Sequence, residues 1–181
     1  MTPTTTDRHR DNPKAARAAC KRPDPTLDVD TAELHRALYE LKRVYQFRDR
    51  DRICCHDISV TQAWALDALG RGGPSTLNEL AAELYLDKST ASRVVDALER
   101  KGYVERTPHP HDGRALMLKT TPAGSRLRTR IEKDMLAGER RLLTEFDHGV
   151  RRSMARLIGR LAEAASAGLV SRGGRCCSGD G

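Results

Sequence analysis

The stretch from Ser75 to Arg114 constrains this chain more than any other. It carries two successive helix periods and then a strand period with a basic turn. Thr76 and Glu79 form a T-x-x-E pair, in which hydroxyl and carboxylate cap each other's backbone amides and start a helix. Leu77, Leu80, Ala81 and Leu84 then recur at helical spacing, and the helix stops near Tyr85. Asp87 is a good N-cap for a second helix, whose apolar face is Ala91, Val94, Val95 and Leu98. Gly102 is placed to end it in a left-handed conformation. So short a connection suits a helix-turn-helix.

A hairpin comes next in the chain. Tyr103 to Arg106 reads as one strand, residues 108–113 as a Pro- and Gly-marked turn, and Arg114 to Thr120 as the return strand, with Leu116 and Leu118 alternating with Met117 and Lys119. Between Tyr103 and Arg130 six cations stand against Glu105 and Asp112, which places a net +4 of the chain's +7 there. A helix-turn-helix followed by a basic hairpin can lay one helix in the major groove of DNA and a β-wing beside it. The groove helix would present Ser89, Thr90, Ser92 and Arg93, short hydroxyls for phosphates and base edges and one forked cation for guanine. A bland alternative exists for the hydroxyls, since Ser and Thr favour helix starts in any case. Arg106, His109 and His111 add to the DNA-facing set. At two-residue spacing beside prolines, the two histidines suit phosphate contacts better than a metal.

The run D-G-R-A-L-M-L-K-T-T-P-A-G at Asp112 to Gly124 resembles the D-x-R wing signature of MarR-type winged helix regulators. The upstream S-T-A-S-R-V-V-D-x-L-E-x-K-G-Y-V-x-R is similar to their recognition helix, and the likeness covers about Val60 to Gly124. Thr120 departs from the Leu usual in the family. The resemblance implies that Arg114 enters the minor groove, where an arginine reads groove width, and that Asp112 holds it by a charge-assisted contact. It also implies a twofold homodimer with intertwined terminal helices, bound to a palindromic operator in double-stranded DNA. The expected activity is that of a transcriptional regulator, a repressor released by a small effector, and not an enzyme.

The remaining helices fit that implication. Leu34, Leu38, Leu41 and Tyr45 form one stripe, Leu127, Ile131 and Met135 a second, and Val150, Met154, Leu157 and Leu161 a third. Stripes this long need a partner surface, although packing within one chain is the simpler alternative. Thr121 caps the second of these helices, with Pro122 at its first position. The fold class expected is mainly α with a small β-hairpin wing: a winged helix-turn-helix with helical dimerisation elements. The expected organisation is a disordered tail over 1–30, a dimerisation helix and linker over 31–58, the winged domain over 59–121, dimerisation helices over 122–167 and a flexible tail over 168–181. Aromatic residues make up only 4%, so the core is aliphatic. No apolar run is long enough to span a bilayer and no apolar signal segment starts the chain, so a cytoplasmic protein without a membrane partner is expected. P-loop, dinucleotide-binding and zinc-protease motifs are absent from the sequence.

Two features bear on the effector. Ser59 and Gln62 form a capping box before a helix that carries Trp64, a core or pocket-wall residue by the commoner reading. By the family likeness, Trp64 lies at the effector junction. The five cysteines include two adjacent pairs, Cys54–Cys55 and Cys176–Cys177. A disulfide between neighbours is strained, because consecutive Cα atoms lie about 3.8 Å apart against roughly 4.4–6.8 Å in ordinary disulfides. Each pair could instead offer two thiolates to one soft ion, As(III), Hg(II) or another thiophilic metal, with no obligatory cofactor. Cys54 and Cys55 are expected just before a helix N-terminus and among Arg50, Arg52 and His56, a setting that favours thiolate. The alternatives are a thiol-oxidation sensor, a regulator responsive to an aromatic ligand with inert buried cysteines and, more remotely, a thiol-redox enzyme with a basic surface.

Overall fold

The computed structural model describes residues 24–112 and 115–171, without the side chains of Cys54 and residues 169–171. The boundary between two compact units, Met1–Lys42 and Arg43–Gly181, falls within the first helix, α1 (Leu27–Cys54). It is followed by α2 (Val60–Gly72), β1 (Ser75–Thr76), α3 (Leu77–Glu83), α4 (Lys88–Arg100), β2 (Val104–Pro108), β3 (Leu116–Thr120), α5 (Pro122–Leu143) and α6 (His148–Ser171). This is the expected fold class, a helical protein with a small antiparallel sheet.

In the first unit, α1 begins at Leu27, inside the segment expected to be a tail. Asp24 starts it by accepting from the Thr26 amide at 3.0 Å and the Thr26 hydroxyl at 2.8 Å. Residues 1–23, with Cys20, lie outside the described residues. At its other end α1 runs to Cys54, and α6 runs to Ser171.

In the second unit, caps set most helix starts. Ser59 and Gln62 close one capping box, Thr76 and Glu79 another. Thr121 caps α5, with Pro122 in its first turn. The core is aliphatic: Leu66, Leu80, Val95, Leu98, Val104, Leu118 and Leu127 are fully buried. Each contributes about 1.5–3 kcal/mol relative to exposure. The sheet order is β1-β3-β2, both pairings antiparallel. The two-residue strand β1 was not expected; it pairs Ser75 with Leu118 and Thr76 with Met117 across more than forty residues of sequence, which local pattern cannot reveal.

Gly102, at φ +71°, turns the chain from α4 into β2. The chain then crosses itself closely. The Thr121 amide donates to the Tyr103 carbonyl at 3.0 Å and its hydroxyl to the Gly102 carbonyl at 2.7 Å. Gly124 sits so near that a Cβ there would collide with the Tyr103 carbonyl. This crossing fixes α5 against the base of the hairpin. Further along, Glu139 of α5 accepts from the Tyr45 hydroxyl at 3.1 Å and from Arg48, whose guanidinium lies 3.8 Å from the Tyr45 ring centroid. His56 Nε2 and Asp134 Oδ2 are 3.1 Å apart.

Candidate nucleic-acid interface

The polar start of α4 is organised by one carboxylate. Asp87 accepts from the Thr90 amide at 2.8 Å, the Ser89 hydroxyl at 2.6 Å and the Thr90 hydroxyl at 2.7 Å. These donors, led by the two hydroxyls, hold its carboxyl well below the usual carboxylate range. Arg93 reaches back to the Ser89 oxygen at 3.4 Å. Ala91, Val95 and Leu98 are buried on the opposite face, while Lys88, Ser89 and Arg93 are exposed and Thr90 and Ser92 half-buried. The hydroxyls of Ser89 and Thr90 already spend their hydrogens on Asp87. Their oxygens remain acceptors, which suit base amino groups better than phosphates.

The hairpin pairs Val104 with Thr120 through to Pro108 with Leu116. At its tip the His109 amide donates to the Ala115 carbonyl at 3.1 Å and the Ala115 amide to the Asp112 carbonyl at 3.0 Å. His111 donates its amide to His109 Nδ1 at 3.2 Å, and the two rings meet edge to face, centroids 6.2 Å apart. Asp112 and His111 are exposed, His109 half-buried. Arg114 lies outside the described residues, so its pairing with Asp112 stays an expectation.

Arg106, expected in the DNA-facing set, is ion-paired within the chain. It donates to Asp96 Oδ1 at 2.6 Å and to Glu99 Oε2, both on α4. Sequence reasoning counted its charge and missed its partners. The signal was present as two acids three residues apart on one helix, followed by an arginine one strand later.

The cysteines also need a corrected setting. Cys54 is the last residue of α1, and α2 begins only at Val60. The pair therefore stands at a carbonyl-rich helix C-terminus, not before an amide-rich N-terminus, and the dipole argument for thiolate does not apply there. Cys55 is exposed and donates its thiol to the Asp51 carbonyl at 3.3 Å. No three-member group of metal-ligating side chains occurs among the described residues, and Cys176 and Cys177 lie outside them.

Trp64 is 55% exposed and is not a core residue. It lines a cavity of about 430 Å³ with Ile53, Ala63, Ile131 and Met135. Asp67 at the rim accepts from Arg128 Nε at 3.0 Å and Arg71 Nε at 2.7 Å, so the charges there largely satisfy one another.

Comparison with known proteins agrees with this geometry. The MarR family profile matches residues 56–115. An HTH-type transcriptional regulator of Mycobacterium leprae is 31% identical over 104 residues, 56% of this chain and 70% of that one. Another, of Mycobacterium bovis, is 29% identical over 138 residues, 73% of this chain and 94% of that one. A mutant MarR of E. coli, solved in complex with operator DNA, has a similar fold: TM-score 0.63, 21% identity, covering 76% of this chain and 98% of that one.

Proposed function

The chain belongs to the MarR family of DNA-binding transcriptional regulators, and from that premise we propose that it acts as a homodimeric repressor that grips a palindromic operator and is released by a small effector. The observation that carries this is the Asp87-capped, exposed polar start of α4 standing beside a hairpin. In this reading α4 enters the major groove with Lys88, Arg93 and Ser92 toward phosphate and bases, and Ser89 and Thr90 as acceptors. The wing lies alongside with Arg114 in the minor groove, Asp112 orienting it, and His109 and His111 near phosphate.

The test is selection of operator duplexes from random DNA, followed by a salt series. The expected result is enrichment of a palindrome and an affinity that falls steeply with salt, by about 0.9 in log–log slope per phosphate neutralised. Arg114→Ala should weaken binding to the selected duplex. Absence of enrichment, with affinity indifferent to salt, would refute the reading.

For the effector, the Trp64 cavity favours a small aromatic or apolar molecule that stacks on the indole. A second reading takes arsenite or Hg(II) as the signal, bound by Cys54 and Cys55 with Cys176 and Cys177, or an oxidant acting on the same thiols. Its support is the exposed Cys55 thiol beside a second cysteine. Release of operator DNA by a panel of aromatic acids, thiophilic ions and peroxide separates the two. Loss of the response in Trp64→Ala supports the cavity, and loss in the Cys54→Ser, Cys55→Ser double variant supports the thiols.

A further inference from the structure

Arg106 sits in the middle of β2, directly across from Leu118 of β3. Opposed residues of an antiparallel pair point to the same face of the sheet. Leu118 is 1% exposed, and Val104, two residues before Arg106 and on the same face, is 2% exposed. The Arg106 side chain therefore leaves the sheet on the core side, away from the surface a wing offers to a ligand. Its fork emerges at α4, where Asp96 and Glu99 receive it. Asp96 and Glu99 are three residues apart, so both carboxylates share one helix face and meet the two ends of one guanidinium.

We infer that Arg106 is a positioning residue: its forked ion pair to Asp96 and Glu99 staples the wing to the recognition helix and sets the angle between the two DNA-reading elements. This rests on the operator-binding reading above. Val104 in the core and the Thr121–Tyr103 hydrogen bond hold the base of the hairpin, and the chain enters β2 through Gly102, the residue type with the freest backbone; Arg106 ties the strand to α4 farther out toward the tip. The lever is long. From Arg106 to His111 is five residues, at most about 17 Å of extended chain, so a 10° tilt moves the tip by roughly 3 Å. That exceeds the tolerance of a hydrogen bond to a base or phosphate. The paired acids also take up the Arg106 charge, which leaves it a poor phosphate ligand.

Three variants separate a staple from a phosphate contact, the third being Arg106→Gln, which removes the charge. Arg106→Lys keeps the charge and loses the fork. Asp96→Asn with Glu99→Gln keeps the arginine and removes its partners. For each, affinity is measured for the selected operator duplex and for a scrambled duplex across a salt series, and amide exchange is followed in the wing. The staple predicts that Arg106→Lys and the double acid variant lose about tenfold in operator-to-scrambled preference and exchange the His109 amide faster, and that Arg106→Lys keeps the wild-type salt slope. Removing two acids raises electrostatic affinity for any duplex, so the ratio, not the absolute affinity, isolates positioning. If Arg106→Lys keeps the wild-type ratio, or the double acid variant leaves both ratio and exchange unchanged, the staple is overturned. If Arg106→Gln lowers the salt slope by about one while the double variant is silent, Arg106 is a phosphate contact instead. The exchange measurement needs no DNA. Wild-type protein that ignores every duplex therefore sinks the operator reading, whereas unchanged wing exchange in Arg106→Lys and the double acid variant sinks the staple alone.

Discussion

Asp87 shows how one residue can hold a binding surface. It takes an amide and two hydroxyl hydrogens at the start of α4, so the side chains that would face DNA are oriented before any partner arrives. Asp87→Ala should lower Tm by about 2–4 °C, the scale of losing one helix cap in a chain of this size. The pH dependence has a definite sign. The folded carboxyl titrates below its unfolded value, so the stabilisation is complete above about pH 4 and is lost as pH falls toward the depressed folded value. The Tm difference between wild type and Asp87→Ala should therefore shrink on acidification below that point. Melting at pH 7 and at stepped acid pH measures it, and a constant difference would rule out the cap. This role was legible in the sequence because a cap acts over three residues. That of Arg106 was not: its partners lie seven and ten residues away. A positive charge by itself does not distinguish a carboxylate partner from a phosphate.

Among the elements, the helices were the most readable, because their apolar periods and caps are local, and their ends the least. The first helix starts at Leu27, before its expected start, and runs to Cys54, which moves the cysteine pair from a helix start to a helix end. The turn between α3 and α4 holds a different surprise. Tyr85 has φ +54°, a left-handed conformation that costs a residue with a Cβ about 1–2 kcal/mol. Its ring is exposed and gains little there in return. Tyr85→Gly should remove that strain and, after the extra chain entropy of glycine, raise stability by up to about 1 kcal/mol. Denaturant unfolding measures it. A loss of stability would mean that the ring makes a stabilising contact. If operator affinity falls while stability rises, the strained turn exists to present the tyrosine.

At the scale of the whole molecule, the unexplained surface is apolar. Along α6, Val150, Leu157 and Ile158 are exposed, Leu157 at 59%, and Leu136 and Leu142 of α5 are open as well. In the other unit, Leu34 and Leu41 of α1 are exposed. Apolar surface on this scale in three long helices costs solubility unless a partner covers it. A twofold interface needs the same patch on both copies, which helices with repeated apolar stripes supply. Leu157→Asp places a carboxylate on that face in each copy, so a symmetric interface receives two buried like charges at once. If the proposed homodimer uses this face, the variant should run as a single copy by light scattering where the wild type runs as two. One α4 would then bind a half-site without its twin, and the gain from linking two binding events disappears. Affinity for the full palindrome should fall about a hundredfold or more, while affinity for an isolated half-site changes little. A Leu157→Asp protein that remains two copies and keeps palindrome affinity would remove α6 from the interface and require another partner for its apolar face.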